Sequence, residues 1–510
     1  MNEVVPDFGP FGRPLFDSPE ARALARVGVV DVGSNSVRLV VFDGAARSPA
    51  YFYNEKIMCA LGAHISETGR LNPEGRTRAL SAMRRFRALA DGMGISPLTA
   101  VATAAVREAE DGPDFRAEVE RETGIRLWVI DGTEEARLSA QGVLLGWPGS
   151  YGLVCDIGGA SMELAELDDG RVGRRMTSPL GPLRIEDVKG GKSGQKKYIK
   201  DEIAKLADEM GSTGKRLFLV GGSWRAFARI DMERRGYPLT VLHEYRLTAS
   251  AIQKTAKLIE ESDLDELRNR CGISSARMSL IPLAAPVLKR LVRAFQPRDI
   301  TISSYGIREG MLYEQMPAPL RQRDPLIEAC RFAEAKDARV PGFGRTLYAF
   351  IRPLFKSAPE GKRRLIRAAC LLHDVSWRAH PDYRHEVCFD LATRANLGGL
   401  KHSERIWLGL ALLHRYKSNR DGTRFEHLYD LIPEDDQRQA EAVGKAMRFG
   451  AMLWQTTDEL IGEMRFFPKK KRLELILTKE AAPLFGEVAE SRFASLASVL
   501  ESETDVRYRG

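Results

Sequence analysis

Two segments of the chain share one arrangement of apolar runs around a short polar turn. In residues 27–42, VGVVDVGSNSVRLVVF, two apolar runs flank Gly-Ser-Asn-Ser, which predicts a β-hairpin. Residues 153–164, LVCDIGGASMEL, repeat the arrangement. Aligning Asp31 with Asp156 gives the shared pattern Asp-hydrophobic-Gly-x-x-Ser-x-x-Leu. This internal repeat predicts two related lobes.

The rest of the first 310 residues alternates strand and helix patterns, which predicts an α/β fold. In residues 132–138, GTEEARL, Thr133 is a suitable N-cap and two glutamates follow in the first helical turn. Gly306 is expected to open another helix, and residues 189–197, rich in lysine and glycine, to form a solvated loop. The other predicted segments are helices at 73–92 and 115–122 and strands at 99–103, 126–130, 217–223 and 300–304.

Beyond about residue 320 the pattern becomes mainly helical, as at 365–373 and 406–414, with a strand pattern at 473–478. These changes predict a helical module with a small α+β end. The predicted divisions are an N-terminal extension (1–26), lobe I (27–134), lobe II (135–316), a helical domain (317–435) and a C-terminal domain (436–510).

Composition narrows the classes of protein that fit. The chain has 510 residues, 44% of them hydrophobic and 29% charged, as in ordinary soluble proteins. A formal charge of +8 favours a polyanionic partner. The six cysteines form no CxxC pair, which fits a reducing compartment. With no secretory signal pattern in the first 26 residues and no apolar run of 18, we expect a cytoplasmic protein without a membrane segment.

The two predicted turns are suited to binding phosphate. Each follows a strand that ends near an aspartate, and its glycines let backbone N–H groups face an anion. Asp31 and Asp156 are oxygen ligands of the type that Mg²⁺ accepts. If the lobes are related by a pseudo-twofold axis, the turns face each other across a cleft. The candidate phosphate-binding residues are Asp31, Gly33, Ser34, Asn35, Ser36, Gly158, Gly159, Ala160 and Ser161.

Two other positions have both a structural and a catalytic interpretation. Glu134 and Glu135 complement a helix dipole, but a carboxylate there could also activate a water molecule. Arg107 follows a predicted strand, and it either packs as an ordinary surface arginine or neutralises phosphoryl oxygens.

These motifs together resemble the exopolyphosphatase and guanosine pentaphosphate phosphohydrolase family, within the actin, hexokinase and heat-shock ATPase superfamily. The resemblance covers about the first 310 residues, and the remainder is similar to the helical extension of longer members. It implies two ribonuclease-H-like (actin-like ATPase) lobes that form a cleft, and a homodimer. The motifs that carry it are DVGSNSVRL (31–39), TAAVR (103–107), GTEEARL (132–138), DIGGASMEL (156–164) and REG (308–310).

The resemblance also implies roles for single residues. Glu135 would be the general base, Arg107 a phosphate ligand, and Asp156 and Glu163 ligands of Mg²⁺. Two departures from the family pattern stand out. Ala160 replaces a third glycine, which would strain the turn if its φ were positive. The Gly-Ser-Trp sequence at 222–224 replaces smaller residues, and Trp224 is expected to pack.

Six of the eight histidines lie in the helical module. His373 and Asp374 resemble the paired ligands of HD-type metal phosphohydrolases. No histidine occurs between His243 and His373, so the ligand set is incomplete and a degenerate HD-like scaffold is expected.

The leading functional hypothesis is an exopolyphosphatase that releases orthophosphate from the ends of polyphosphate with Mg²⁺. The first alternative is hydrolysis of guanosine pentaphosphate, and a related kinase would instead transfer phosphate to an acceptor. The alternative of another class is a non-catalytic actin-like or polyanion-binding protein. No aromatic RNA-binding motif or DNA-reading motif is present, so no specific nucleic-acid partner is expected.

Overall fold

The computed structural model describes residues 26–43, 47–48, 50–95, 98–211, 214–453 and 462–509. The chain divides into two compact units, Met1–Arg323 and Asp324–Gly510, here called the N-terminal and C-terminal units. The predicted N-terminal extension, residues 1–26, lies outside the described residues except for Arg26.

Lobe I of the N-terminal unit is built on a five-stranded sheet in the order β3-β2-β1-β4-β5. β1 pairs antiparallel with β2, Asp31 lying opposite Arg38, and parallel with β4. The elements are β1 Val27–Val32, β2 Ser36–Phe42, β3 Tyr51–Met58, α1 Ile65–Thr68, α2 Pro73–Gly92, β4 Leu98–Ala102, α3 Ala104–Glu108, α4 Gly112–Thr123, β5 Leu127–Val129 and α5 Gly132–Gly146.

Lobe II contains a six-stranded sheet in the order β10-β11-β9-β6-β7-β8. Asp156 lies opposite Glu163 in the β6–β7 hairpin. The elements are β6 Gly152–Ile157, β7 Met162–Asp168, β8 Arg171–Ser178, α6 Pro182–Glu186, α7 Gly191–Met210, β9 Arg216–Val220, α8 Gly222–Arg235, β10 Arg246–Leu247, α9 Ala249–Glu261, α10 Leu264–Cys271, α11 Ser275–Met278, α12 Ile281–Phe295, β11 Asp299–Ile302, α13 Ile307–Glu314 and α14 Ala318–Arg321.

The two sheets have the same topology, as the internal repeat predicts. In each, an antiparallel three-stranded meander continues through its first strand into two parallel strands: β3-β2-β1-β4-β5 corresponds to β8-β7-β6-β9-β11, and β10 is an additional edge strand. The turn after β1 and the turn after β6 therefore occupy equivalent places at the ends of equivalent strands.

Helices α5 and α13 join the two lobes through one shared core. Buried side chains from both sheets, including Val29 of β1 and Val154 of β6, pack with Leu138 of α5 and Met311 of α13. The helices approach so closely that a Cβ on Gly310 would lie 1.8 Å from the Leu138 carbonyl oxygen. This spacing matters because α5 carries Glu135 and α13 carries Arg308.

The C-terminal unit is mainly helical and ends in a three-stranded sheet in the order β12-β13-β14. β13 pairs antiparallel with β12 and parallel with β14. The elements are α15 Pro325–Asp337, α16 Phe343–Ile351, α17 Glu360–Leu372, α18 Arg384–Arg394, α19 His402–Tyr416, α20 Glu426–Tyr429, α21 Glu434–Leu453, β12 Gly462–Phe467, β13 Arg472–Thr478, α22 Glu487–Val499 and β14 Glu503–Arg509, with 3₁₀ turns at Arg352–Phe355, Pro381–Tyr383, Pro468–Lys470 and Lys479–Leu484.

Two local predictions are wrong. The N-cap of α5 is Asp131, whose carboxylate accepts a hydrogen bond from the Glu134 backbone N–H, while Thr133 donates its hydroxyl proton to the same carboxylate. Most of the segment predicted as a solvated loop at 189–197 belongs to α7, which begins at Gly191 and buries Ile199 and Ile203 on one face. The apolar face of the later turns overrides the local glycines and lysines.

Ala160 and Trp224, the two departures from the family pattern, are both accommodated by the fold. Ala160 does not have a positive φ, so the second turn accommodates its methyl group without that strain. Trp224 is fully buried in the core of lobe II and packs as expected.

All six cysteines are buried free thiols. Among the described residues, no single helix is both long and apolar enough to cross a bilayer; two successive helical segments, Leu264–Cys271 and Ser275–Phe295, reach that length and composition only when taken together, with a 117° bend between them.

Candidate active site

The two equivalent turns have the same local geometry. The Gly33 N–H donates to the Ser36 carbonyl at 3.0 Å, and the Gly158 N–H donates to the Ser161 carbonyl at 2.9 Å. They also face each other, since a Cβ built on Gly159 would lie 3.8 Å from the Ser34 Cβ. Equivalent strand ends from two lobes thus bring two glycine-containing turns to the same place.

The turns line one pocket of about 480 Å³ in the N-terminal unit. Glu135 and Asp156 also line it, but Arg107 and Glu163 do not. All nine candidate phosphate-binding residues are part of its wall: Asp31, Gly33, Ser34, Asn35, Ser36, Gly158, Gly159, Ala160 and Ser161.

One part of the site is an acidic group formed by Glu135, Asp156 and Glu163. Burial raises the pKa of Glu135 well above its ordinary value, and the carboxyl groups of Glu163 and Asp156 raise it further. Burial likewise raises the pKa of Glu163 to about 8. Ser139 donates a hydrogen bond to Asp156, whose pKa is nevertheless raised by burial. Carboxyl groups this close cannot all ionise without positive charge nearby.

Arg107 lies beside this acidic group without reaching the pocket wall. Its Nη1 donates to the Ile130 carbonyl oxygen at 2.8 Å, and its Nη2 lies 3.8 Å from Glu108. Its charge lowers the pKa of Glu135 and of Glu163, although burial of these two carboxyl groups has the larger, opposite effect. In this structure Arg107 is therefore an electrostatic neighbour of the carboxylates.

The acidic group offers oxygen ligands of the kind that Mg²⁺ accepts. Glu135 Oε2 and Glu163 Oε2 are buried and have no hydrogen-bond partner in the part of the chain that the structure describes. Asp156 supplies a further carboxylate near Glu163. Among the described residues, no three His, Cys, Asp or Glu side chains are gathered closely enough to coordinate a metal by themselves. Mg²⁺ usually takes one or two carboxylates and completes its shell with water and substrate phosphate, so this incomplete set matches its chemistry.

Five cationic side chains line the same pocket, and sequence patterns assigned a role to none of them. Arg308 forms an ion pair with Asp31 at 3.0 Å, and Arg277 donates to the Gly222 carbonyl at 3.0 Å. Arg38 and Arg308 lie within two of the sequence motifs that carry the family resemblance. Their place in these motifs was the signal that could have identified them as pocket residues. The five, here called the cationic wall, are Arg38, Lys56, Arg225, Arg277 and Arg308.

The histidine and aspartate pair of the C-terminal unit has a different environment. Asp374 accepts from Arg339 Nη2 at 2.6 Å and from Arg339 Nε at 2.9 Å. His373 is buried with its Nδ1 2.8 Å from the Cys370 carbonyl oxygen, and burial lowers its pKa to about 3. A guanidinium group therefore already pairs with both carboxylate oxygens of Asp374.

Comparison with known families assigns both parts of the chain. Residues 40–318 match the model of the Ppx/GppA phosphatase family. Residues 343–505 match a family described as the C-terminal part of exopolyphosphatase. The first match includes the second turn of the pocket but begins a few residues after the first turn, and the second match lies within the C-terminal unit.

Individual relatives agree with these matches. Exopolyphosphatase 1 of Mycobacterium leprae is 29% identical over 311 residues, which cover 57% of this chain and 89% of the relative. Retrograde regulation protein 2 of Saccharomyces cerevisiae is 23% identical over 458 residues, 81% of this chain and 74% of the relative. The crystal structure of an exopolyphosphatase from Cytophaga hutchinsonii superposes with a TM-score of 0.52 at 23% identity, covering 57% of this chain and 98% of that one, and shows that the fold is shared.

Proposed function

Because the chain belongs to the Ppx/GppA phosphatase family and is a hydrolase of phosphoanhydride bonds, we propose that it releases orthophosphate from the ends of inorganic polyphosphate. One observation carries this proposal: two facing phosphate-type turns, a buried carboxyl group and five cations line the same pocket. Backbone donors suit a terminal phosphoryl group, and the cations suit the charged chain behind it.

In the proposed mechanism, the N–H groups and hydroxyls of the two turns bind the terminal phosphoryl oxygens and stabilise their developing charge. Glu135 orients the attacking water and accepts its proton, for which a raised pKa makes it a better base. A new P–O bond forms to the water oxygen while the bond to the bridging oxygen breaks, and the remaining chain leaves with one phosphate fewer. Asp156 and Glu163 would hold Mg²⁺, which would offset the negative charge of the phosphates.

We also propose a role for the C-terminal unit. The helical part of the C-terminal unit is an HD-like scaffold whose acid is occupied by Arg339. The domain divisions near residues 134, 316 and 435, a homodimer and a cytoplasmic location remain predictions.

The experiment that tests the proposal compares two adjacent glutamates. Glu135→Gln should abolish phosphate release from long-chain polyphosphate while leaving its binding largely intact, because the carboxylate acts on water. Glu134→Gln is a matched control, since Glu134 is engaged in an ion pair with Arg137 at 2.6 Å. Its variant should retain most of the activity. Unchanged turnover in Glu135→Gln, or loss in Glu134→Gln alone, would contradict the assignment.

Substrate choice needs a second comparison. Phosphate release from long-chain polyphosphate and from guanosine pentaphosphate is measured at the same Mg²⁺ concentration. A higher kcat/KM for polyphosphate supports the proposal. A higher kcat/KM for the nucleotide would replace it with the guanosine pentaphosphate phosphohydrolase alternative, and phosphate transfer from ATP to an acceptor would indicate a kinase.

A further inference from the structure

Arg225 is a cation in the pocket wall that the protein itself does not neutralise. It lies in the first turn of α8 and lines the pocket. Its backbone N–H donates to the Gly221 carbonyl at 3.3 Å, but its guanidinium group makes no hydrogen bond or ion pair with any described residue. By comparison, Arg308 of the same wall is paired with Asp31. A partly buried guanidinium group with open donors is a ready partner for a bound anion.

Two glycines bring this turn against the second phosphate-type turn. Gly221 has a φ of 109°, and a Cβ there would lie 2.6 Å from the Ile157 carbonyl oxygen and 2.9 Å from Asp156 Oδ1. A Cβ on Gly222 would lie 2.5 Å from the guanidinium group of Arg277. At position 221 the positive φ and the backbone contact require glycine, whereas at position 222 the flexible end of Arg277 would have to move aside. The start of α8 therefore lies between the acidic group and the cationic wall.

A second polar group at this turn is also without a partner. Ser223 lines the pocket and is only 6% exposed, and its hydroxyl makes no hydrogen bond with any described residue. The N–H groups of the first turn of a helix lack intrahelical acceptors and favour a negative charge. A buried hydroxyl, open N–H groups and an unpaired guanidinium group therefore converge at one place.

The surrounding charges make an anionic ligand favourable there. Burial, together with repulsion from Arg308 and Arg277, lowers the pKa of Arg225 to about 10, although Asp156 and Glu309 oppose the effect. The protonated group is thus under repulsion that an anion would relieve. Asp156 lies near enough to influence Arg225 but forms no ion pair with it, so the guanidinium donors remain open to a ligand.

We propose that Ser223 and Arg225 form a third phosphate-binding element, which takes the phosphate group next to the terminal one in a condensed phosphate. Arg225 is then a specificity-determining residue that favours chains over single phosphate groups. The inference rests on the proposed function, because it assumes that the terminal group lies between the two turns. The same chemistry fits the second phosphate of inorganic polyphosphate and that of a nucleoside triphosphate.

The test measures binding and turnover separately in the full-length protein. Tripolyphosphate, guanosine 5′-triphosphate and inorganic phosphate are titrated calorimetrically into Glu135→Gln, with and without Arg225→Gln, at several salt concentrations. Loss of one charge-assisted hydrogen bond should weaken tripolyphosphate binding by about tenfold or more and leave inorganic phosphate within about twofold. The slope of log affinity against log salt should fall by about one. Arg225→Lys should restore part of the affinity.

A matched control removes an equivalent charge elsewhere. Arg174 is an exposed arginine of β8 that pairs with Glu166, outside the pocket wall. Arg174→Gln should change neither the affinity nor the salt slope. If Arg225→Gln behaves like this control, or weakens inorganic phosphate and tripolyphosphate equally, the inference is overturned. If Arg225→Gln loses about tenfold in affinity for tripolyphosphate but none for guanosine 5′-triphosphate, the site is assigned to inorganic chains. If both affinities fall equally, it is assigned to inorganic chains and nucleoside triphosphates alike.

Failure of the two proposals gives different results. Tripolyphosphate binding that depends on Arg225, without any phosphate release by the wild-type chain, would support the third element and reject the proposed hydrolysis. Polyphosphate hydrolysis with the same kcat/KM in wild type and Arg225→Gln would support the hydrolysis and reject the third element. If the wild-type chain binds no tripolyphosphate, the inference is overturned.

Discussion

Lys56 gives the pocket a positive charge that a modest rise in pH should remove. Partial loss of hydration is the largest of several causes that lower the pKa of Lys56 to about 8. Repulsion from Arg277 and Arg38 comes next. Arg308 of α13 and Arg225 of α8 also repel the Lys56 ammonium group. Among the described residues Lys56 has no carboxylate within ion-pair distance, so its charge is available to a polyanion.

The size of the effect follows from this pKa. With a midpoint near pH 8, about nine-tenths of the Lys56 side chains are protonated at pH 7 and about one-tenth at pH 9. Although neighbouring groups displace part of its water, the Lys56 side chain is still exposed, so a contact with a phosphate would be worth about 1 kcal/mol, which corresponds to roughly a fivefold change in affinity. Affinity should fall as pH rises, because the protonated form is the one that attracts phosphate.

The assay is kcat/KM for long-chain polyphosphate between pH 6.5 and 9.5, which reports the titration of the free enzyme. The wild-type profile should show a descending limb near pH 8. Lys56→Arg should keep the charge and move this limb to higher pH, whereas Lys56→Gln should lack it and have a lower kcat/KM at pH 7. A descending limb of the same midpoint in all three proteins would refute the reasoning.

Two stability predictions follow from contacts in the N-terminal unit. Gly310→Ala should lower the free energy of unfolding, measured by urea titration, by about 3 kcal/mol, because the new Cβ would lie 1.8 Å from the rigid Leu138 carbonyl oxygen. Gly92→Ala is the control, since a Cβ there meets nothing within 4 Å. It should change the free energy of unfolding by less than about 1 kcal/mol. Asp231→Ala should cost about 3 kcal/mol or more, because the fully buried carboxylate accepts a hydrogen bond from the Tyr245 hydroxyl at 2.6 Å. A change of under about 1 kcal/mol in thermal or urea unfolding would show that water replaces this acceptor.

The main architecture was predictable because local sequence patterns determine its hairpins. Two apolar runs around a glycine-containing turn depend on neighbouring residues only, so both hairpins were recognised from the sequence. Their repetition also predicted the duplicated strand order, and the equivalent turns do lie at one pocket. The family resemblance added the actin-like fold, which the comparison with known structures confirms.

The cationic wall was not predictable in the same way. Lys56, Arg225 and Arg277 come from distant segments, and in the sequence each is indistinguishable from a solvated surface cation. Their convergence depends on how β3, α8 and α11 pack, which no local pattern specifies. The error at Thr133 has a similar origin on a smaller scale, since Asp131 lies two residues earlier and its carboxylate reaches the open N–H of Glu134.

The pairing of Arg339 with Asp374 constrains what the C-terminal unit can become. A fixed cation already satisfies the buried acid, so adding histidine ligands around His373 would not by itself create a metal centre. The arginine would have to be removed in the same step, and its loss would leave the buried carboxylate without its ion-pair partner until a metal ion bound, although the nearby charge of Arg415 would still favour the ionised form. Any redesign of this unit as a metalloenzyme therefore has to pass through an unstable apo form, or begin by replacing the acid.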